Sequence, residues 1–110
     1  MTQGDNRLAI SNAIVGLYRE HYGKGPTKSK TYLHDDIVLT VLWGGIVQIE
    51  KTLTEDGKGD IVHDMRRAFQ HAKREEFVST VEELTGREVL VFMSQFDAES
   101  DVSLEFFQLG

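Results

Sequence analysis

The chain of 110 residues is long enough for one compact domain and too short for two. Its 40% hydrophobic and 27% charged residues lie outside the composition of disorder, and the absence of cysteine excludes disulfides, thiol nucleophiles and cysteine zinc sites. A formal net charge of −6, from 18 acids against 12 bases, repels polyanions, so no nucleic-acid partner is expected without a local basic patch.

The start, MTQGDNRLAI, lacks the charged-then-apolar layout of a signal peptide, and no apolar run approaches the ~18 residues of a membrane span. A cytoplasmic protein without direct membrane insertion is expected. Asp5 or Asn6 is placed to cap a first helix, along which Ile10, Ala13, Ile14, Leu17, Tyr18 and His21 recur at helical spacing. Gly23, with Pro26 beyond it, ends that helix near Tyr22. TYLH (31–34) and IVLTVLW (37–43) read as a hairpin turning at Asp35-Asp36, and the second strand carries apolar side chains on both faces. Gly44-Gly45 permits a bend, IVQIEKTL (46–53) fits either a strand or a helical turn and leans towards extended, and EDGKG (55–59) reads as a loop.

Residues 60–84 look helical, with a stop at Thr85-Gly86, and EVLVFMSQF (88–96) and VSLEFFQL (102–109) form two strands around an acidic turn. The order α-β-β-(β)-α-β-β, with strands clustered in hairpins, predicts a single α+β domain over residues 1–110. It has two layers, an antiparallel-rich sheet with two main helices on one face. The long helix changes its apolar face: Ile61, Val62, Met65, Ala68, Phe69 and Ala72 form one stripe, while Phe77, Val81 and Leu84 lie nearly opposite. Either the helix breaks near KREE (73–76), or it stays straight and buries Phe77, Val81 and Leu84 against a second copy. With no proline or glycine to cause a kink, the straight helix and a homodimer are favoured.

YGKGPTKSK (22–30) concentrates three lysines, but it follows a helix and precedes a strand, the reverse of a Walker A context. Lysines after a helix C-terminus complement the negative end of its dipole. Their functional alternative is contact with an anion or an acidic partner through Lys24, Lys28 and Lys30. His63, Arg67, Gln70 and Arg74 form a basic stripe, read first as a solvated face. DAESDVSLE (97–105) alternates acids like a calcium loop but has Val102 where that loop needs glycine. No histidine has zinc-ligand spacing, and no serine sits in a nucleophile elbow. No catalytic residue, metal or cofactor is therefore assigned.

The run ISNAIVGLYREHYGKGPTKSKTYLHDDIVLTVLWGGIVQIEKTL, followed by GDIVHDMRRAFQHAKREEFVSTVEELTGREVLVF, resembles the small bacterial family of MpsC-like domains over roughly Leu8 to Phe107. The most telling parts are Y-G-K-G-P at 22–26, E-K-T-L at 50–53, R-R-A-F at 66–69 and L-T-G-R at 84–87. The resemblance implies association with a sodium-translocating, membrane-potential-generating system and with inorganic-carbon uptake proteins, and it implies no catalytic residues. It makes this chain a soluble accessory or regulatory domain, linked to a membrane-protein complex that would do the translocation. Gly25, Pro26, Glu50 and Arg67, which fall in the matching motifs, join the lysines and Arg74 as candidate contacts. The alternative is a small-anion or nucleotide sensor seated near Arg67 between subunits.

Overall fold

The computed structural model describes the backbone from residue 3 and the side chains from residue 6, to residue 110. Helix α1 (Gln3–Tyr22) is followed by the hairpin β1 (Lys28–His34) and β2 (Ile37–Trp43), then by α2 (Gln48–Glu55), α3 (Gly59–Ala72) and α4 (Arg74–Thr85). The hairpin β3 (Val89–Asp97) and β4 (Val102–Leu109) completes an antiparallel sheet of order β1-β2-β4-β3. This is the expected α+β fold. The proposed cap Asp5 lies outside the described side chains, and Asn6 stands inside α1 because the helix begins at Gln3.

Turn chemistry sets the chain reversals. Gly23 ends α1 in the left-handed region (φ 74°), and its N–H bonds the Arg19 carbonyl at 2.9 Å. Asp35 (φ 50°) and Asp101 (φ 54°) take the same conformation in the two hairpin turns, where a short polar side chain tolerates it. The Y-G-K-G-P segment packs on the Gly-Gly bend after β2. A Cβ on Gly44 (φ 77°) would meet Thr27 Oγ1 at 2.2 Å, and one on Gly45 would touch the Pro26 ring at 3.5 Å. The L-T-G-R motif has a comparable structural use: Arg87 pairs with Asp36 at 2.7 Å and donates to the Gly110 carbonyl, tying β4 to the first hairpin.

The larger core lies between the sheet and the helices, built from Ile10, Ile14 and Tyr18 of α1, Phe77 and Val81 of α4, and Phe107 of β4, and a smaller cluster gathers Val62, Phe96 and Ala98. Two expectations fail here. The segment that leans towards extended forms α2: the Glu50 side chain accepts the Val47 N–H at 3.1 Å, closing a helical first turn. The long helix breaks at Lys73, which ends α3 and begins α4 without proline or glycine. Lys73 donates its N–H to the Phe69 carbonyl, while its own carbonyl accepts from Glu76 and Phe77.

The break carries the second stripe into the same core as the first helix. Phe77 and Val81 are fully buried within the chain and Leu84 packs against them, so they are not an oligomer interface, and the rotated stripe gives a homodimer no support. Burying a Phe or Val side chain is worth about 1.5–3 kcal/mol, which outweighs one interrupted helical turn. The cost appears on α3, whose expected core residues Ile61 and Met65 stay exposed while Arg66 and Gln70 turn inward.

Candidate functional site

Four elements, α1, α3, β3 and β4, contribute side chains to one buried hydrogen-bond network. Glu105 on β4, opposite Thr40 on β2 and Ser94 on β3, points to the helix side and is fully buried. Its Oε1 accepts from Tyr18 Oη at 2.9 Å, Gln70 Nε2 at 3.1 Å and Ser94 Oγ at 2.7 Å, and Ser94 Oγ also lies 2.8 Å from Oε2. Gln70 Nε2 reaches Tyr18 Oη at 2.5 Å as well, linking α1, α3, β3 and β4.

Among the described residues no cation is hydrogen-bonded to this carboxyl. Arg66, the nearest guanidinium, is engaged by Glu50: Nε donates to Oε2 at 2.7 Å and Nη2 to Oε1 at 2.6 Å, with a further bond to the Gly45 carbonyl at 3.2 Å. The pair is almost wholly buried, and the guanidinium lies 4.0 Å from the Phe96 ring centroid and 4.5 Å from that of Tyr22. Burial therefore dominates at Glu105 and pushes its pKa up to about 8, against the lowering effects of Ser94, Tyr18 and Arg66. The Tyr18 hydroxyl is also raised well above its ordinary value, by burial and then by Glu105. At neutral pH Glu105 holds a proton.

A pocket of about 30 Å³, the size of one water, opens beside this network between Tyr18, His63, Arg66, Gln70, Ser94 and Phe96. His63 Nε2 accepts the Ala98 N–H at 3.2 Å, which commits it to the chain turn after β3. Of the lining side chains, Ser94 is bonded to Glu105 and His63 to the Ala98 N–H, so these groups are engaged inside the chain. Among the described residues, Glu20, His21 and Glu76 also bring ligand atoms within 4.8 Å, a half-exposed group in which His21 Nε2 lies at hydrogen-bond distance, 3.3 Å, from Glu76 Oε1.

The candidate contacts separate. Glu50 is fully buried against Arg66 and faces no partner, because E-K-T-L and R-R-A-F are two halves of one internal ion pair. Arg74 is spent on the Phe92 carbonyl (3.1 Å) and ring, while Arg67 is exposed and paired with Asp64 at 2.9 Å. With Gln70 buried and His63 bonded inward, the basic stripe is not a surface. Gly25 and Pro26 pack on α1 and the Gly-Gly bend. The three lysines are exposed but diverge. Lys24 reaches the Ile46 carbonyl at 3.2 Å and borders a groove of about 480 Å³ shared with Tyr22, Val47, Gln48 and Lys51. Lys28 and Lys30 lie instead on the sheet, over the rings of Trp43 (4.8 Å) and Tyr32 (5.1 Å).

Sequence reasoning missed Arg66, Tyr18, Gln70, Ser94 and Glu105. One signal was available: Glu105 falls in phase with Phe107 and Leu109, at a position that alternation sends to the core side.

A family model described as "Na+-translocating membrane potential-generating system (MpsC)" matches residues 2–110. The chain belongs to the MpsC family. No curated protein and no solved structure matches it. For an MpsC-family chain the internal Glu50–Arg66 pair is informative, because it accounts for two of the quoted motifs by structure alone. Among the described residues no helix is long and apolar enough to cross a membrane.

Proposed function

We propose that this chain is a non-enzymatic accessory or regulatory domain of a membrane-potential-generating system, and that it docks an acidic segment of a partner protein in the Lys24–Lys51 groove. The observation that carries this reading is the charge of that groove. Among the described residues Lys58, Arg67, Lys73 and Arg87 each face an acid, whereas Lys24 and Lys51 flank the groove with no carboxylate in ion-pair reach. Two cations outside ion-pair distance of any described carboxylate border a concavity of a chain of net charge −6 and would attract an acidic partner there, with Lys51 also lining the neighbouring cleft of Glu55, Glu99 and Asp101. The polar cluster faces inward and, apart from Gln70 Oε1, is bonded within the chain, which supports a role without turnover. The family description supplies the membrane system.

The test is complementation. In cells lacking the chain, membrane potential read with a voltage-sensitive dye is expected to fall and to be restored by the wild-type chain. The Lys24→Glu/Lys51→Glu variant, with its thermal midpoint unchanged, is expected to leave the potential at the deletion level. Full restoration by that variant removes the groove from the reading, and a deletion with unchanged potential removes the membrane system.

A further inference from the structure

The helices cover one face of the sheet only. Val38, Leu42, Phe92, Phe96, Phe107 and Leu109 pack beneath them, and the alternate residues of every strand point to the other side. That second face is apolar at its centre, and the strand register orders it into rows. The first row reads His34, Ile37, Gln108, Val91; the second Tyr32, Leu39, Phe106, Met93; the third Lys30, Val41, Leu104, Gln95; the last Lys28, Trp43, Val102, Asp97. Tyr32 is 45% exposed, Met93 57% and Leu104 38%, which is a contiguous apolar surface rather than scattered side chains.

We propose that this open face is the interface of a two-fold homodimer, with two sheets stacked face to face. The arrangement of charge selects a second copy as the occupant. A two-fold axis parallel to the strands, midway between facing sheets, lays β1 over the partner's β3 and β2 over the partner's β4, and keeps each row over itself. Lys28 then meets the partner's Asp97, Leu39 meets the partner's Phe106, Val41 meets the partner's Leu104, and Tyr32 meets the partner's Met93. Each contact occurs twice, as an isologous interface requires.

Lys28 on one edge strand and Asp97 on the other are thus complementary across the two copies, while Lys30 lies over the partner's Gln95, and the Asp97 carboxylate is already oriented by Ser100 N–H (3.0 Å) and Oγ (2.5 Å). Four strands ~4.8 Å apart, over seven residues at ~3.3 Å, give a footprint of roughly 450 Å² per copy. Protruding side chains add accessible surface to that footprint, which brings the pair to the ~1,000 Å² where specific interfaces begin. Twisted sheets stack with their strands aligned to within about 30°.

Sedimentation equilibrium of the full chain tests this independently of the groove, whose lysines lie elsewhere. The wild type is expected to be a dimer, and Leu104→Lys, which puts a charge at the centre of the face, is expected to raise its dissociation constant at least ~100-fold. Lys28→Glu and Asp97→Lys are each expected to weaken the dimer about tenfold, through two opposed like-charge contacts. Mixing the two variants is expected to restore wild-type affinity, since the mixed dimer regains both ion pairs; a change confined to the β3–β4 turn would show no such rescue. A monomeric wild type, a dimer indifferent to Leu104→Lys, or mixing without rescue overturns the proposal.

Discussion

Glu50→Ala is expected to destabilise the protein by about 3–5 kcal/mol, because it leaves the Arg66 guanidinium buried without its counter-charge. Both side chains are almost wholly enclosed, and Arg66 is bound to both carboxylate oxygens, so solvent cannot replace the lost partner. The pair also fixes α2 against α3 and, through the Gly45 carbonyl, the bend after β2. Urea denaturation measures the loss directly. Glu50→Leu combined with Arg66→Met removes both charges at similar volume and is expected to cost far less than either charge deletion alone. If the single and double variants are equally unstable, the packing of these side chains rather than their charge holds the region together.

The second large effect is a dependence on pH centred on Glu105. Its carboxyl titrates near 8 in the folded chain, against an ordinary value of 4.5, so between those values the folded state holds a proton that the unfolded state has lost. Stability from this group is therefore complete below about pH 4.5 and is lost progressively as pH rises through the folded pKa. Glu105→Gln keeps a carbonyl for Tyr18 and Ser94 without an ionisable group. Relative to wild type, it is expected to be near neutral at pH 5 and more stable by on the order of a few kcal/mol at pH 8 and above. Chemical denaturation of both proteins across that range checks the sign. Parallel curves for the two would place the titration elsewhere.

Both effects arise from residues with little local signal. Glu50 reads as part of a motif and Arg66 as half of an Arg-Arg pair; sixteen residues separate them, and nothing in either segment specifies that they meet. Glu105 stands among Asp97, Glu99 and Asp101, and reads as one more acid of a polar turn until the sheet orients it. Arg67 and Arg74 show the converse. Their helical spacing is real, but α3 turns Gln70 and His63 inward and the break at Lys73 starts a new helix before Arg74, so the four residues share no surface.

What the sequence by itself determined is local. Gly23 stops α1, the two aspartate turns reverse the hairpins, Gly86 ends α4, and the β-branched and aromatic runs become strands, because each follows from backbone sterics and turn chemistry within a few residues. The family is legible for the same reason, as motifs are local strings. Only the tertiary structure decided which face of each strand meets the helices, since β2 and β4 carry apolar groups on both. It also decided that the helix breaks at Lys73, because burying Phe77 and Val81 in one core outweighs an interrupted turn. With that choice go the inward Arg66 and Gln70 and the proton held at Glu105, while the alternation of β1 puts Lys28 and Lys30 on the open sheet and leaves Lys24 beside a groove.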